Sequence, residues 1–234
     1  MNVLDHGFIT LHSTTRRVVE PDGWTGDLEV ISAARTSYAG EDTWREDRSL
    51  DEKLLKYLLK NRHTSPFEMM DFTFHVKCPL FVARQWHRHR TWSYSEVSAR
   101  YTELPEEYYI PNVQHVGVQS ATNKQMRLFD SHQVNDIDRQ FIEELQVHSA
   151  LGFQRYQYFA ERGIPRELAR LFLGLNTYTH FYAKVDLHNL LHFLTLRLHE
   201  HSQYEIRVYA NTILWLIEPY VPLTVKYFKA EVLA

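Results

Sequence analysis

Between Met70 and Cys78 apolar and polar residues alternate without a break. Met70, Phe72, Phe74, Val76 and Cys78 fall on one side, and Asp71, Thr73, His75 and Lys77 on the other. A period of two is that of a half-buried strand. Gly7–Leu11 reads as a shorter strand and Tyr178–Val185 as another. Leu54, Leu55, Leu58 and Leu59 share one helical face behind Ser49 and Glu52, which have the spacing of a capping box, and this helix ends near Asn61. Asp27 is placed to cap a helix through Leu28, Ile31 and Ala34, followed by a polar loop over Ala39–Arg48. Pro79 can open a helix carrying Phe81, Val82 and Trp86. Pro105 and Pro111 bracket an extended piece at Tyr108, Tyr109 and Ile110. A long helix from about Val134 to Arg162 stops at Gly163, and Pro165 starts another at Arg166. Asp186 caps a helix carrying Leu187, Leu190, Leu191 and Leu194, while Ser202 with Glu205 begins one reaching Ile217.

No repeat, low-complexity tract or linker divides residues 1–234, so the pattern implies one α/β domain. With 44% hydrophobic and 24% charged residues, the 234-residue chain can bury a sizeable core. Its formal charge of −3 gives no global reason to bind nucleic acid or an anionic membrane. No apolar run approaches the roughly 20 residues that span a bilayer. Asp5 and His6 stand where a signal peptide would be basic and then apolar, so a cytoplasmic protein is expected. One cysteine, Cys78, excludes an internal disulfide and a multi-cysteine zinc site. Neither G-x-G-x-x-G nor a Walker A pattern occurs, so phosphate would have to be held by side chains and helix ends.

Chemistry concentrates in Arg84–Tyr101. The stretch holds Arg84, Arg88, Arg90 and Arg100, with His87 and His89, among Trp86, Trp92, Tyr94 and Tyr101. Guanidinium forks suit phosphate, and imidazoles suit the edge or face of a planar ring, which together describe a nucleotide. Two other readings stand beside it. One is a metal-dependent nucleotide hydrolase using His188, His192, His199 and His201 with Asp186 or Glu200, although no complete ligand pattern is present. The other is single-stranded RNA binding by stacking and cationic contacts.

Arg88-His89-Arg90, then Ser98 and Arg100-Tyr101, resembles the signature of the flavin-dependent thymidylate synthases. So do His63-Thr64-Ser65-Pro66-Phe67-Glu68, the strand Phe72–Lys77, Val82–Trp86, Ile164–Arg170 and Leu196-Arg197 with His201 and Gln203, in the same order. The resemblance is weakest around Gln114–Gln133. It implies a twisted, mainly antiparallel central sheet flanked by helices, the thymidylate synthase-complementing protein-like fold. It also implies a homotetramer with sites shared between subunits. The implied reaction is methylation of dUMP to dTMP, with 5,10-methylenetetrahydrofolate as carbon donor, FAD as hydride carrier and NADPH as reductant.

The same resemblance assigns roles. Arg88, His89 and Arg90 would hold FAD, helped by Ser37, Ser65 and Glu96. Gln85, Arg88, Glu96, Ser98, Arg100 and Arg170 would bind dUMP. Arg197 would be catalytic, because a permanent cation beside the uracil ring favours its ionised form. Asp186, His188 and His192 occupy flavin-binding positions where relatives commonly have Asn or Arg, and Ser95 stands where Asn is usual. Ser98 lacks the surroundings of a nucleophile and is read as a hydrogen-bonding group. Cys78 continues the apolar phase of its strand and is expected to be buried and inert.

Overall fold

The computed structural model describes residues 1–15, 25–36, 49–129 and 131–233 of the chain. In chain order the first half carries β1 (Asn2–Val3), β2 (Gly7–Thr14), α1 (Gly26–Thr36), α2 (Ser49–Lys60), β3 (Asp71–Pro79), α3 (Leu80–Trp86) and β4 (Ser93–Glu96). A small hairpin of β5 (Val118–Gln119) and β6 (Arg127–Leu128) follows. Then come α4 (Asp136–Glu161), α5 (Arg166–Ala169), β7 (Tyr178–Asp186), α6 (Leu187–Arg197), α7 (Tyr204–Ile217) and α8 (Pro222–Glu231). The polar loop expected over residues 39–48 lies outside the described residues, as does the side chain of Ser49.

The alternating segment is the middle of a five-stranded sheet of order β1-β2-β3-β7-β4, antiparallel throughout. Asp71 lies opposite Asp186, and Pro79 opposite Tyr178, so β3 and β7 are matched along their whole length. Phe72, Phe74, Val76 and Cys78 of β3 and Phe181, Ala183 and Val185 of β7 are buried on one face. That face packs against Trp86 of α3, Leu190, Phe193 and Leu194 of α6, and Ile206, Tyr209, Ala210 and Ile213 of α7. The opposite face is polar and more open. There the His75 ring stacks on Tyr182 at 4.6 Å. One buried and one open face is what lets the sequence alternate so cleanly.

Most predicted elements are present, with two corrected caps. Asp27 does not cap α1. Buried within it, its carboxylate accepts from the backbone N–H groups of Leu223 (2.8 Å) and Thr224 (2.9 Å) and from the Thr224 hydroxyl (2.6 Å). It thus caps α8, whose own N-cap residue is Val221 and whose first residue, Pro222, has no N–H. Ser202 and Glu205 do not form a capping box either. Gln203 is the N-cap of α7, the Ser202 hydroxyl has no partner among the described residues, and Glu205 pairs elsewhere. Its carboxylate accepts from Tyr109 (3.2 Å) and Arg127 (3.0 Å). Asn135 and Asp138 do form a capping box at the start of α4, which ends before Gly163 at a φ of +84°, where a side chain would be strained.

Candidate functional site

The Arg and His segment is shaped by what lies beneath it. Trp86 is fully buried, its ring against Trp92, Phe181, Phe193 and Tyr209. This anchor ends α3, and the chain turns at once, with the His89 N–H reaching the Trp86 carbonyl at 2.9 Å. Returning on β4, Tyr94 donates its hydroxyl to the carbonyls of both Trp86 (3.1 Å) and His89 (3.0 Å). Two aromatic residues thereby pin the turn, while Arg88 and Arg90 remain exposed on it. Among the described residues neither arginine has an ion-pair partner, so both cations are available to an anion.

His89 and Arg197 meet on this turn. His89 is buried beside Phe193, with ring centroids 4.8 Å apart. Arg197, the last residue of α6, donates its Nε–H to His89 Nε2 at 3.1 Å and an Nη2–H to the Gln85 carbonyl at 3.4 Å. Burial, then the Arg197 cation, then the His192 ring 6.3 Å away lower the His89 pKa to about 4. His89 is therefore neutral near pH 7, with its proton on Nδ1 and Nε2 free to accept. Burial also lowers the pKa of Arg197, which stays cationic all the same. The Gln85 side chain, one residue before the end of α3, donates to the Gln203 side chain.

Other candidates gather at the far end of β4. Glu96 accepts the Thr179 hydroxyl at 2.6 Å. Arg100 pairs with the Glu167 carboxylate at 3.3 Å, and Arg170 donates to the Glu167 carbonyl at 3.4 Å. The two arginines thus converge on one residue of α5 although they are far apart in sequence. Ser98 accepts from the Arg100 N–H at 3.3 Å and stands beside them. Asp186 caps α6, both carboxylate oxygens accepting from Asn189. His188 and His192 lie one turn apart on α6, with His192 exposed toward His89. Ser65 is exposed at the start of a short 3-10 turn, and Ser37 lies outside the described residues.

Three features were not apparent from the sequence. Tyr94 ties the turn, Thr179 orients Glu96, and Gln203 holds Gln85. Tyr94 carried a signal as an aromatic residue inside a cationic stretch and Gln203 as part of a block that matches the family, but neither contact could be read from the sequence. The two rival readings fare poorly. Among the described residues no group of three His, Cys, Asp or Glu side chains is arranged to hold a metal ion. Of the four aromatic residues in the cationic stretch, Trp86 and Trp92 are buried in the core, Tyr94 is half-buried and only Tyr101 is exposed, so the stretch presents no platform of successive rings for RNA stacking. Cys78 is fully buried, and burial, then Glu96, pushes its thiol well above the usual range.

Residues 22–223 match the family model described as thymidylate synthase complementing protein. A flavin-dependent thymidylate synthase of Wolbachia pipientis wMel is 49% identical over 228 residues, covering 97% of this chain and 75% of the relative. One from Rickettsia bellii (strain RML369-C) is 43% identical over 241 residues, covering 98% and 78%. Among solved structures, the UMP/dUMP methylase PolB from Streptomyces cacaoi, bound with 5-Br dUMP, superimposes with a TM-score of 0.85 at 31% identity, covering 99% of this chain and 98% of that one.

Proposed function

Because the chain belongs to the thymidylate synthase complementing protein family, the flavin-dependent thymidylate synthases, we infer that the surface between α3, β4 and the end of α6 is where dUMP is methylated. The protein is a methyltransferase that converts dUMP to dTMP with FAD. We further assign 5,10-methylenetetrahydrofolate as the carbon donor and NADPH as the reductant. On this scheme the C5 hydrogen of uracil leaves as a proton, the methylene carbon bonds to C5 as its two C–N bonds to the folate break and tetrahydrofolate is released, and a hydride originating from NADPH reduces that carbon to methyl.

The donor set fits a flavin dinucleotide. Its diphosphate needs fixed cations, and Arg88 and Arg90 are exposed and unpaired among the described residues. His89, Ser65, Glu96, His188 and His192 complete the proposed flavin set, with Asp186 acting through the helix it caps and Ser37 joining from outside the described residues. When bound, FAD supplies the hydride. For dUMP, Arg100 and Arg170 would take the phosphate beside Ser98, and Gln85, Arg88 and Glu96 the nucleoside.

The observation that carries the mechanism is the grip on Arg197. Its Nε and Nη2 are engaged by His89 and the Gln85 carbonyl, and Nη1 has no partner among the described residues. A fixed cation so presented stabilises negative charge as it builds on N3, O2 and O4 of uracil, without reorganising during the reaction. The base then gains nucleophilicity at C5 without covalent help. Cys78, the one cysteine of the chain, supports this scheme, since a buried protonated thiol cannot add to uracil C6.

We propose that residues 1–234 act as one domain and assemble as a homotetramer with shared sites. The first statement is supported by the main hydrophobic cluster, whose members come from both ends of the chain, Val3 to Trp92 and Phe181 to Phe228; a smaller cluster of Phe153, Tyr156 and Ala169 packs α4 on α5. The second is supported by large apolar side chains left exposed along α4 and beyond α5, among them Ile137 at 71%, Val147 at 64% and Leu171 at 76%. Among the described residues no helix is long and apolar enough to cross a membrane. A cytoplasmic location is part of the proposal. The test is spectroscopic and kinetic together. The protein should purify yellow and turn over dUMP with methylenetetrahydrofolate and NADPH. A colourless protein that neither takes up FAD nor oxidises NADPH in the presence of dUMP overturns it.

A further inference from the structure

We propose that Gln203 is a positioning residue that fixes the amide of Gln85 so that its carbonyl oxygen faces the nucleotide. The inference rests on the dUMP reading above and extends it to a residue with no assigned role. Gln203 is the N-cap of α7, yet its side chain makes no capping bond. It reaches instead to α3, where its Oε1 accepts from Nε2 of Gln85. The Gln85 backbone is held as well, since its carbonyl accepts from Arg197 at 3.4 Å. One substrate-binding residue is thus gripped at both its main chain and its side chain.

The consequence follows from amide chemistry. A glutamine amide offers two donors on nitrogen and an acceptor oxygen, and its last torsion is soft, so a half-turn that exchanges them costs little unless a partner decides it. With its nitrogen on Gln203 Oε1, the Gln85 oxygen is left as an acceptor for a donor on the nucleotide, either a ring N–H or a ribose hydroxyl; the reversed pairing, in which the Gln203 amide donates, is the one that Gln203→Glu would break. Without that partner the amide can turn its NH2 toward the same donor, and one hydrogen bond to dUMP is lost. Gln203 also lines a cavity of about 650 Å³ with Phe81, Leu145, His148 and Leu175. A substituted side chain there meets open space, so the variants below can fold.

The experiment compares Gln203→Glu and Gln203→Leu, alone and with Gln85→Ala, in the FAD-loaded enzyme. Both kcat and KM for dUMP are measured, and flavin content is read from the visible spectrum. Glutamate can still accept from Gln85, so its KM should stay within about threefold of wild type. Leucine cannot, and KM should rise about tenfold, the loss of one ordinary hydrogen bond, with kcat and flavin content nearly unchanged. In the Gln85→Ala background Gln203→Leu should add nothing further, which a general structural role would not produce. An unchanged KM in Gln203→Leu, a larger defect in Gln203→Glu than in Gln203→Leu, or additive losses with Gln85→Ala would each overturn the proposal. Wild-type enzyme that fails to bind dUMP would instead overturn the functional reading itself.

Discussion

Arg197 donates its Nε–H to Nε2 of His89 across 3.1 Å. Burial and the adjoining cation lower the His89 pKa to about 4, so the contact joins a permanent cation to a neutral acceptor through the neutral pH range. This geometry fixes the guanidinium in the plane where it can present its free edge, and it gives the protein a definite response to acid.

Between the ordinary histidine value of 6.5 and about 4, the unfolded chain binds a proton at His89 that the folded chain refuses. The contribution is therefore present above 6.5 and is lost as pH falls through that window, by no more than about 3 kcal/mol. Denaturant unfolding of wild type and His89→Asn from pH 7 to 4 measures it. The variant should lose less stability over that interval, and equal losses would remove His89 from the explanation.

Tyr94→Phe deletes both hydrogen bonds that hold the turn, to the carbonyls of Trp86 and His89. Stability should fall by about 1–2 kcal/mol. Because Arg88 and Arg90 ride on that turn, flavin binding should weaken in the same variant. A stability loss with unaltered flavin affinity would show that the turn does not position the two arginines.

Asp27→Ala should destabilise by about 2–3 kcal/mol, since it uncaps α8 and leaves the N–H groups of Leu223 and Thr224 without their acceptor. The loss should appear in equilibrium unfolding, with flavin binding intact in the folded protein. A loss below about 0.5 kcal/mol, the low end for a helix cap, would mean that water replaces the carboxylate.

Cys78→Ala should keep flavin and near-normal turnover, with about 1 kcal/mol of stability lost from missing packing. A folded, flavin-loaded Cys78→Ala protein without activity would require a thiol nucleophile after all.

These residues also mark how far the chain could be read before its structure. β3 was legible because one face is wholly buried, so Phe72, Phe74 and Val76 alternate with polar neighbours. α6 was legible because Asp186 caps it locally. β4 was not, since Ser93, Ser95 and Glu96 form an exposed edge with no apolar period to announce it. Asp27 carried a correct cap chemistry but the wrong helix, because a cap supplied from a distant element leaves no spacing in the sequence. Gln203 fell to the same limit. Sequence rules for helix starts favour Ser, Thr, Asp and Asn, and nothing local tells that a glutamine there turns toward α3.

The placement of the site residues in catalysis rests most heavily on Arg197, and turnover of Arg197→Lys tests it directly. An ammonium cannot meet His89, the Gln85 carbonyl and a uracil ring as a planar fork does. Single-turnover conversion of dUMP by the flavin-loaded variant should fall about 100-fold to 1000-fold, the usual cost of one electrostatic donor, while the flavin spectrum is preserved. A rate within about threefold of wild type would contradict that loss and return Arg197 to a purely structural role.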